Sequence, residues 1–351
     1  VEAVRPVRNL KEAWERWAEL AARHVRQLES GDSPAGESAF APEVVCCDHP
    51  SLLPAIKAAA SAPVVIDCSE DFEAQTGSRS AIEAYREALS TALPLADGLI
   101  AHNRYVIESW DRYLGEDVPR TVIEHGVDVD LFSPTSSERA GVLRRGLELQ
   151  PGQSVITFLG HVDARISYED LVTMMETAPE AVFVFVGQVR PDGLSLLQRL
   201  PSDRIRPLGA LRPEKAAAIV GASDALILPF RREPHLEVVR GLNLYEYFAT
   251  GRPIAASFRR ALKAYRDLMY LYATQAELQQ SVRALLAEAE TAATTADRTE
   301  AKASDKAGDN AGAKARDKAR RRIEIAREAA WSRRVDELIG FLGRVSVRQV
   351  P

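Results

Sequence analysis

The chain has 351 residues, of which 46% are hydrophobic and 27% charged, ordinary values for a globular protein large enough to bury two cores. Its net charge of −5 argues against nucleic acid as the main partner, because binding many phosphates requires a basic surface. No apolar run approaches the roughly 20 residues that span a bilayer, and no secretory leader is visible. We therefore expect a cytoplasmic protein.

The three cysteines have no spacing typical of a metal site, and Cys46 and Cys47 would point to opposite faces of a strand. Together with Cys68, they are interpreted as small apolar residues in a reduced compartment. The sequence therefore predicts no metal centre.

Short β-rich runs alternate with helical patterns along residues 1–134, which is typical of a parallel sheet with crossover helices. The predicted strands are Glu43–Cys47, Pro63–Asp67, Gly98–Ala101 and Arg120–Glu124. The predicted helices are Leu10–Leu28, Ser51–Ala60, Ile82–Ala92 and Arg104–Leu114. This pattern begins almost at Val1, so we expect this N-terminal domain to lack a first strand and helix.

Residues 135–153 are polar and contain a Pro-Gly turn, so they are interpreted as a linker. A second and more regular series predicts another domain over residues 154–286. Its predicted strands are Val155–Gly160, Ala181–Gly187, Ile205–Leu208, Ala225–Phe230, Pro253–Ala256 and Leu268–Tyr272. Its predicted helices are Tyr168–Thr177, Leu194–Leu200, Pro213–Val220, Asn243–Ala249 and Gln275–Ala287.

Residues 287–322 form a low-complexity tract rich in Ala, Lys and Asp, with no large apolar side chain between Ala287 and Arg322. Such a composition cannot bury a core, so the tract is either a solvated helix extension or disordered. Apolar periodicity returns in residues 323–351 and predicts an amphipathic helix that crosses back onto the first domain.

These patterns predict an α/β protein of two Rossmann-like domains. Ligands of open α/β sheets bind beyond the carboxyl ends of the strands. With two such domains facing each other, the cleft between them is the expected site.

The segment Ala225–Ser257 carries the most chemistry. It runs from a strand into a loop with Arg231 and Arg232, and then into a helix that carries Glu246. A helix N-terminus after a strand favours anions, and a carboxylate there can accept hydrogen bonds from two vicinal hydroxyls, such as those of a ribose. The alternative is that Glu246 is a solvated helix residue and that the arginines are surface charges.

The run LNLYEYFATGRPIAAS in this segment resembles the diagnostic helix-turn-strand of the retaining GT-B glycosyltransferases of family four, and most of all the bacterial envelope and capsule polysaccharide enzymes. VIEHGVDVDLFSP resembles the turn that joins the two domains of that family, and VITFLGHVDARISYEDL its first C-terminal strand and phosphate-side loop. In the first half, VVCCDHP and VVIDCSEDF resemble strand ends on the acceptor side.

The resemblance implies a transferase that moves a hexose from a nucleoside diphosphate sugar to a glycan or lipid-linked acceptor, with retention, in cell-envelope or exopolysaccharide synthesis. It implies no metal and no cofactor. His49, near the donor sugar, and Asp71, in an acceptor-side loop, are the implied catalytic residues. The implied donor-binding residues include Glu246 at the ribose, and the full set is Gly160, His161, Arg165, Phe230, Arg231, Arg232, Asn243, Leu244, Tyr245 and Glu246.

The chain also departs from the family pattern. Val238 stands where a second glutamate is common, Asn243 where a lysine is common, and His161 where an arginine is common. Two alternatives therefore stay open: a non-catalytic or degenerate binding protein of the same fold, and a sugar-nucleotide epimerase. The basic cluster Arg316–Arg322 is interpreted as a solvated helix face, with contact to anionic lipid at the inner face of the membrane as the minority alternative.

Overall fold

The computed structural model describes residues 42–68, 79–134, 144–150, 152–233, 243–298 and 306–347, with single positions at 22, 23, 25, 26, 30 and 141. The candidate Asp71 and most of the predicted helix Leu10–Leu28 lie outside these residues. The chain divides into two compact units, Val1–His125 with Ser332–Pro351, and Gly126–Trp331.

The described elements alternate between strands and helices. The strands are β1 (Val45–Cys47), β2 (Val64–Cys68), β3 (Gly98–Ala101), β4 (Arg120–Val122), β5 (Val155–Leu159), β6 (Val182–Val186), β7 (Ile205–Gly209), β8 (Ala225–Leu228), β9 (Ile254–Ser257) and β10 (Tyr270–Tyr272). The α-helices are α1 (Leu53–Ala59), α2 (Arg79–Ala92), α3 (Arg104–Trp110), α4 (Tyr168–Thr177), α5 (Pro191–Leu197), α6 (Pro213–Ala222), α7 (Leu244–Thr250), α8 (Gln275–Arg298), α9 (Lys306–Glu328) and α10 (Trp331–Val347).

The first unit is built on a parallel sheet of order β1-β2-β3-β4. One face of this sheet packs against α10, where Val65 and Ile100 meet Phe341 and Val345. The other face packs against α1, α2 and α3, and this core includes Cys47 and Cys68, whereas Cys46 is exposed. Because all four strands are parallel, their carboxyl ends lie along one edge of the sheet.

The second unit contains a parallel sheet of order β10-β9-β8-β5-β6-β7. Its inner strands are apolar without alternation, and β6 is buried along its whole length. This composition is that of a parallel sheet covered by helices on both faces.

The segment before the predicted linker belongs to the second unit. Val127 pairs with Ala330, and its N–H donates to the carbonyl of Ala329 at 3.0 Å. Phe132 is buried in the core that also contains Leu244 and Tyr247. The boundary between the units thus falls after His125, which differs from the boundary predicted at residue 134.

Part of the low-complexity tract is folded as helix and packs through a buried ion pair. Arg322, in α9, is completely buried, and its Nη1 donates to Glu288 Oε1 in α8 at 2.7 Å. The same nitrogen donates to the carbonyl of Gly251 at 3.1 Å, and Nε donates to the carbonyl of Leu268 at 2.7 Å. The interpretation of Arg316–Arg322 as a wholly solvated face is therefore wrong at Arg322, because this side chain joins α9 to the end of α7.

Within the part of the chain that the structure describes, no helix is both long and apolar enough to cross a bilayer.

Candidate functional site

Three neighbouring strands of the second sheet run into glycines at their carboxyl ends. Gly160, Gly187 and Gly209 have φ values of 146°, 136° and 67°, which disfavour residues with a side chain. The N–H of Gly160 donates to the carbonyl of Val186 at 2.8 Å, and that of Gly187 to the carbonyl of Gly209 at 2.8 Å. A Cβ on Gly187 would lie 2.1 Å from the carbonyl oxygen of Gly160. The two turns can therefore pack this closely only because residue 187 has no side chain.

Helix α7 is fastened to the end of β5 through Leu159. The hydroxyl of Tyr247 accepts a hydrogen bond from the N–H of Leu159 at 2.7 Å and donates to the carbonyl of Ile227 at 3.2 Å. Asn243, at the N-cap of α7, donates from Nδ2 to the carbonyl of Leu159. The residue that stands where the family has a lysine is therefore a neutral structural link rather than a cation.

Glu246 lies in the first turn of α7 and is half-buried. Burial disfavours its charged form and raises the pKa of its carboxyl to about 7, from an ordinary value of 4.5. Among the residues that the structure describes, none forms a hydrogen bond or an ion pair with this carboxylate. Glu246 is thus a half-buried helix residue rather than a solvated one.

The loop after β5 holds its arginine on a neighbouring aspartate. His161 is exposed, whereas Asp163 is buried. Arg165 donates from Nη2 to Asp163 Oδ2 at 2.7 Å and from Nε to Oδ1 at 2.9 Å. Burial opposes ionisation of Asp163, but the hydrogen bonds from Arg165 outweigh it and lower the pKa of this carboxyl.

The two arginines after β8 also have carboxylate partners. Arg232 donates to both oxygens of Asp170, at 2.8 and 3.2 Å, and Asp170 is completely buried in the first turn of α4. Arg231 Nε lies 2.8 Å from Glu233 Oε1. The positive charge offered by these predicted donor-binding arginines is therefore partly neutralised.

The loops after β5 and β8 contact each other directly. The N–H of Arg231 donates to the carbonyl of Arg165 at 2.7 Å, and Ile166 forms an antiparallel bridge with Phe230. Leu244 and Tyr245 are buried, and Tyr245 pairs its hydroxyl with that of Tyr265 at 3.1 Å. The structure thus brings the predicted loop residues together, and it buries Leu244 and Tyr245 as packing residues.

Sequence reasoning missed a buried cation at this edge of the sheet. Arg259 follows β9, is 3% exposed, and lies 4.2 Å from the ring centroid of Phe230. Its signal in the sequence is weak, since Arg259 and Arg260 read as a polar turn after a strand.

The first unit collects histidines at its own carboxyl edge. In the part of this unit that the structure describes, each histidine comes after the end of a strand: His49, His102 and His125. His102 and His125 stack at 4.3 Å with an interplanar angle of 4°, and His102 Nε2 lies 3.2 Å from Asp67 Oδ1. The stacked pair escaped sequence reasoning because it joins two strand ends.

His49 has a local structural role. Its Nδ1 lies 2.6 Å from Ser51 Oγ, and it caps the short 3₁₀ helix Pro50–Leu52. Burial lowers the pKa of the His49 imidazole. The proposed catalytic pair cannot be assembled from these residues, since Asp71 lies outside the described part of the chain.

No protein-family model matches the chain. The putative teichuronic acid biosynthesis glycosyltransferase TuaH of Bacillus subtilis (strain 168) is 24% identical over 203 residues, which are 55% of this chain and 50% of TuaH. The match thus spans about half the length of this curated relative.

Two solved structures are similar over most of the chain. Sucrose-phosphate synthase from Thermosynechococcus elongatus has a TM-score of 0.68 and 17% identity, over 95% of this chain and 80% of the other. HepE from Anabaena, in complex with UDP, has a TM-score of 0.67 and 16% identity, over 95% and 84%. At these identities the likeness is one of fold, and it confirms the prediction of a GT-B α/β fold with two Rossmann-like domains.

Proposed function

We propose that the chain is a glycosyltransferase that moves a hexose from a nucleoside diphosphate sugar to a glycan or lipid-linked acceptor, in the synthesis of an envelope polysaccharide. The similarity to TuaH supports the reaction class, and the fold shared with a UDP-bound protein supports the donor class. The cytoplasmic location and the peripheral membrane contact stay predictions from the sequence.

The half-buried carboxyl of Glu246, with which no residue in the described part of the chain forms an ion pair, is the observation that carries this proposal. A carboxyl whose pKa is raised by burial is costly to keep without a compensating group, and such groups concentrate at functional sites. In the proposed complex, the ionised Glu246 accepts hydrogen bonds from the two ribose hydroxyls of the donor. The turn at Gly160 and the loop at Arg231 would then face the diphosphate.

In the proposed reaction, the bond between the anomeric carbon and the diphosphate oxygen breaks, and its electron pair leaves with the diphosphate. The acceptor oxygen bonds to the same carbon on the face from which the diphosphate departs, which gives retention of configuration. The proton of the acceptor hydroxyl passes to the departing diphosphate. Half-exposed Arg165 and Arg231 would stabilise the developing negative charge without a metal or cofactor. The assignments of His49 and Asp71 as catalytic residues remain proposals.

Calorimetric titration with UDP tests the role of Glu246. We expect Glu246→Gln to weaken binding by roughly 10- to 100-fold, since each hydrogen bond to a charged group contributes about 1.5–3 kcal/mol. Glu214→Gln is the matched control, because Glu214 is exposed in the first turn of α6. An unchanged UDP affinity in Glu246→Gln would remove the main support for the proposal.

The alternative of a non-catalytic binding protein is favoured by one observation. Asn243, at the family's lysine position, is engaged with Leu159, and the predicted arginines already have carboxylate partners. A protein that binds UDP but neither hydrolyses UDP-glucose nor transfers glucose over hours fits this alternative. Turnover that is lost in Glu246→Gln contradicts it.

A further inference from the structure

The carboxylate of Asp170 joins three elements of the second unit. Asp170 lies in the first turn of α4 and is completely buried. Arg232, in the loop after β8, donates from Nη1 to Oδ2 at 2.8 Å and from Nη2 to Oδ1 at 3.2 Å. Gln275, the first residue of α8, donates from Nε2 to Oδ1 at 3.0 Å. This side chain therefore links α4 and α8 to the loop that carries Arg231, a proposed donor-binding residue.

The ion pair of Asp170 and Arg232 forms where burial opposes charge. Burial disfavours the charged guanidinium of Arg232, but its hydrogen bonds to Asp170 outweigh burial and raise the pKa of this group. The ring of Tyr272, which is completely buried, lies 5.7 Å from the same guanidinium. Apolar side chains of similar volume often stabilise a fold as well as a buried ion pair does. Stability alone thus gives little reason for an aspartate at this position, whereas a fixed loop geometry gives one.

The backbone of the loop after β8 is fastened to the loop after β5. The carbonyl of Pro229 accepts a hydrogen bond from the N–H of Ser167 at 2.8 Å, and the N–H of Arg231 donates to the carbonyl of Arg165 at 2.7 Å. Together with the side chain of Arg232, these contacts fix the loop on both sides of Arg231.

The ring of Phe230 adds a contact to each of two further strands. Phe158, in β5, meets it in a T-shaped arrangement with 5.8 Å between the ring centroids. The guanidinium of Arg259, after β9, lies 4.2 Å from the centroid of the Phe230 ring. The residue before Arg231 is therefore packed against the ends of β5 and β9.

The side chain of Arg231 differs from its neighbours, because it extends from this fixed backbone towards solvent. It is 54% exposed, and its Nε lies 2.8 Å from Oε1 of Glu233. An exposed ion pair of this kind is weak, so an oxyanion can compete with Glu233 for the guanidinium. An arginine on a rigid backbone loses little conformational entropy when it binds such an oxyanion.

We propose that Asp170 is a positioning residue for the donor: through Arg232 it fixes the loop so that the side chain of Arg231 faces the diphosphate. Asp170 is completely buried and does not contact the donor itself. The inference rests on the proposed function, because it assigns Arg231 to the donor diphosphate. Loss of this link should weaken the binding of a nucleoside diphosphate and leave the binding of the nucleoside to Glu246 unchanged.

Ligand-observed NMR titrations of the full chain with UDP and with uridine test the proposal. In Asp170→Asn we expect UDP affinity to fall roughly 10-fold and uridine affinity by less than about 2-fold, because uridine has a ribose and no phosphate. Glu246→Gln should weaken both ligands by the same factor. Glu169→Gln is the matched control, since Glu169 is exposed in the same turn of α4 and its charge favours that of Arg232. It should leave both affinities unchanged.

Arg232→Lys is a second variant that retains the charge beside Asp170. Lysine lacks the planar fork that reaches both carboxylate oxygens, so this variant should also weaken UDP more than uridine. Unchanged UDP affinity in Asp170→Asn would overturn the proposal. An equal loss of UDP and uridine in both variants would also overturn it, since it would show a general effect on the fold.

Hydrogen exchange of the Arg231 amide in the unliganded protein separates this result from the proposed function. Exchange should be at least 10-fold faster in Asp170→Asn than in Glu169→Gln, because the loop is released. If the amide responds in this way but the chain binds no UDP, both the transferase and the donor role of Asp170 are contradicted. If UDP binding depends on Glu246 but not on Asp170, the positioning role alone is contradicted.

Discussion

In the second unit, Glu246 is a half-buried carboxylate and Glu288 a buried one, and their surroundings are opposite. The carboxylate of Glu288 lies 2.7 Å from Nη1 of Arg322 and 3.3 Å from Nζ of Lys318. It also accepts a hydrogen bond from the hydroxyl of Tyr270 at 2.7 Å. Burial opposes its ionisation, but these partners outweigh burial and lower its pKa. Glu246 is half-buried without an ion-pair partner among the residues that the structure describes, and burial raises the pKa of its carboxyl to about 7.

This difference separates a carboxylate that holds the fold together from one for which we propose a ligand. A buried charge is tolerated when the protein itself supplies the compensating groups. When the protein does not supply them, the cost persists in the unliganded state and is recovered only on binding. Burial opposes the ionisation of both carboxyls, so the partners of Glu288 account for the difference in pKa.

The largest expected effect comes from breaking the Glu288 pair. Replacing Arg322 by Met should reduce the free energy of unfolding by about 3–5 kcal/mol, because it leaves a buried carboxylate without its cation. Denaturant unfolding followed by circular dichroism measures this. Arg320→Met is the control, since Arg320 pairs with Asp317 on the surface, where solvent screens the pair, and its loss should change the stability little.

The double variant Arg322→Met/Glu288→Leu sharpens the same comparison. Removing both charges together should recover most of the lost stability, because neither ion is then left alone. A double variant as unstable as the single one would show that packing around α9, rather than the charge pair, is the source of the effect.

The next largest effect is expected at Glu246, where a substitution should raise the free energy of unfolding rather than lower it. Its folded-state pKa of about 7 lies above the ordinary 4.5, so the folded state keeps a proton that the unfolded state releases between these pH values. Stability from this group is therefore present below pH 4.5 and is lost as the pH rises to 7. Glu246→Gln should stabilise the unliganded protein by up to about 3 kcal/mol at pH 8 and by almost nothing at pH 4.

Unfolding midpoints at the two pH values test this prediction. Glu214→Gln should show no such dependence, since Glu214 is exposed. If Glu246→Gln destabilises the protein at pH 8, Glu246 has a structural partner, and the contrast with Glu288 fails.

The smallest effect comes from the link between α7 and β5. Tyr247→Phe removes the hydroxyl that accepts a hydrogen bond from the N–H of Leu159 and donates one to the carbonyl of Ile227. Its loss should reduce the free energy of unfolding by about 1–3 kcal/mol. UDP affinity should fall only a few-fold, since Glu246 itself is retained. A loss of affinity as large as that of Glu246→Gln would show that α7 moves when this link is broken.

Much of the fold could be predicted from hydrophobic runs. The strand predicted at Ala181–Gly187 is β6 (Val182–Val186), and the helix predicted at Asn243–Ala249 is α7 (Leu244–Thr250). Continuous apolar runs and glycines at strand ends are local signals, so a single sequence contains them. The α8–α9 region was harder, because what folds it is a contact between Glu288 and Arg322, 34 positions apart.

In the candidate site, too, local patterns could be predicted from the sequence, whereas contacts between distant positions could not. The position of Glu246 on a helix after β8 could be predicted, because that helix follows a recognisable strand and loop. The pairing of Arg232 with Asp170 could not, since the two residues are 62 positions apart and no local pattern joins them. The stacked His102 and His125 were missed for the same reason, because the two residues belong to different strand ends.

The close approach of Gly160 and Gly187 limits how this site can change. With 2.1 Å between a Cβ at Gly187 and the carbonyl oxygen of Gly160, and 1.9 Å between a Cβ at Gly193 and that of Val162, the backbones leave no volume for new side chains. In the proposed donor site, a change of selectivity therefore has to come from exposed loop positions such as His161 and Arg231. The backbone at these glycines is therefore fixed, and only the neighbouring side chains can vary.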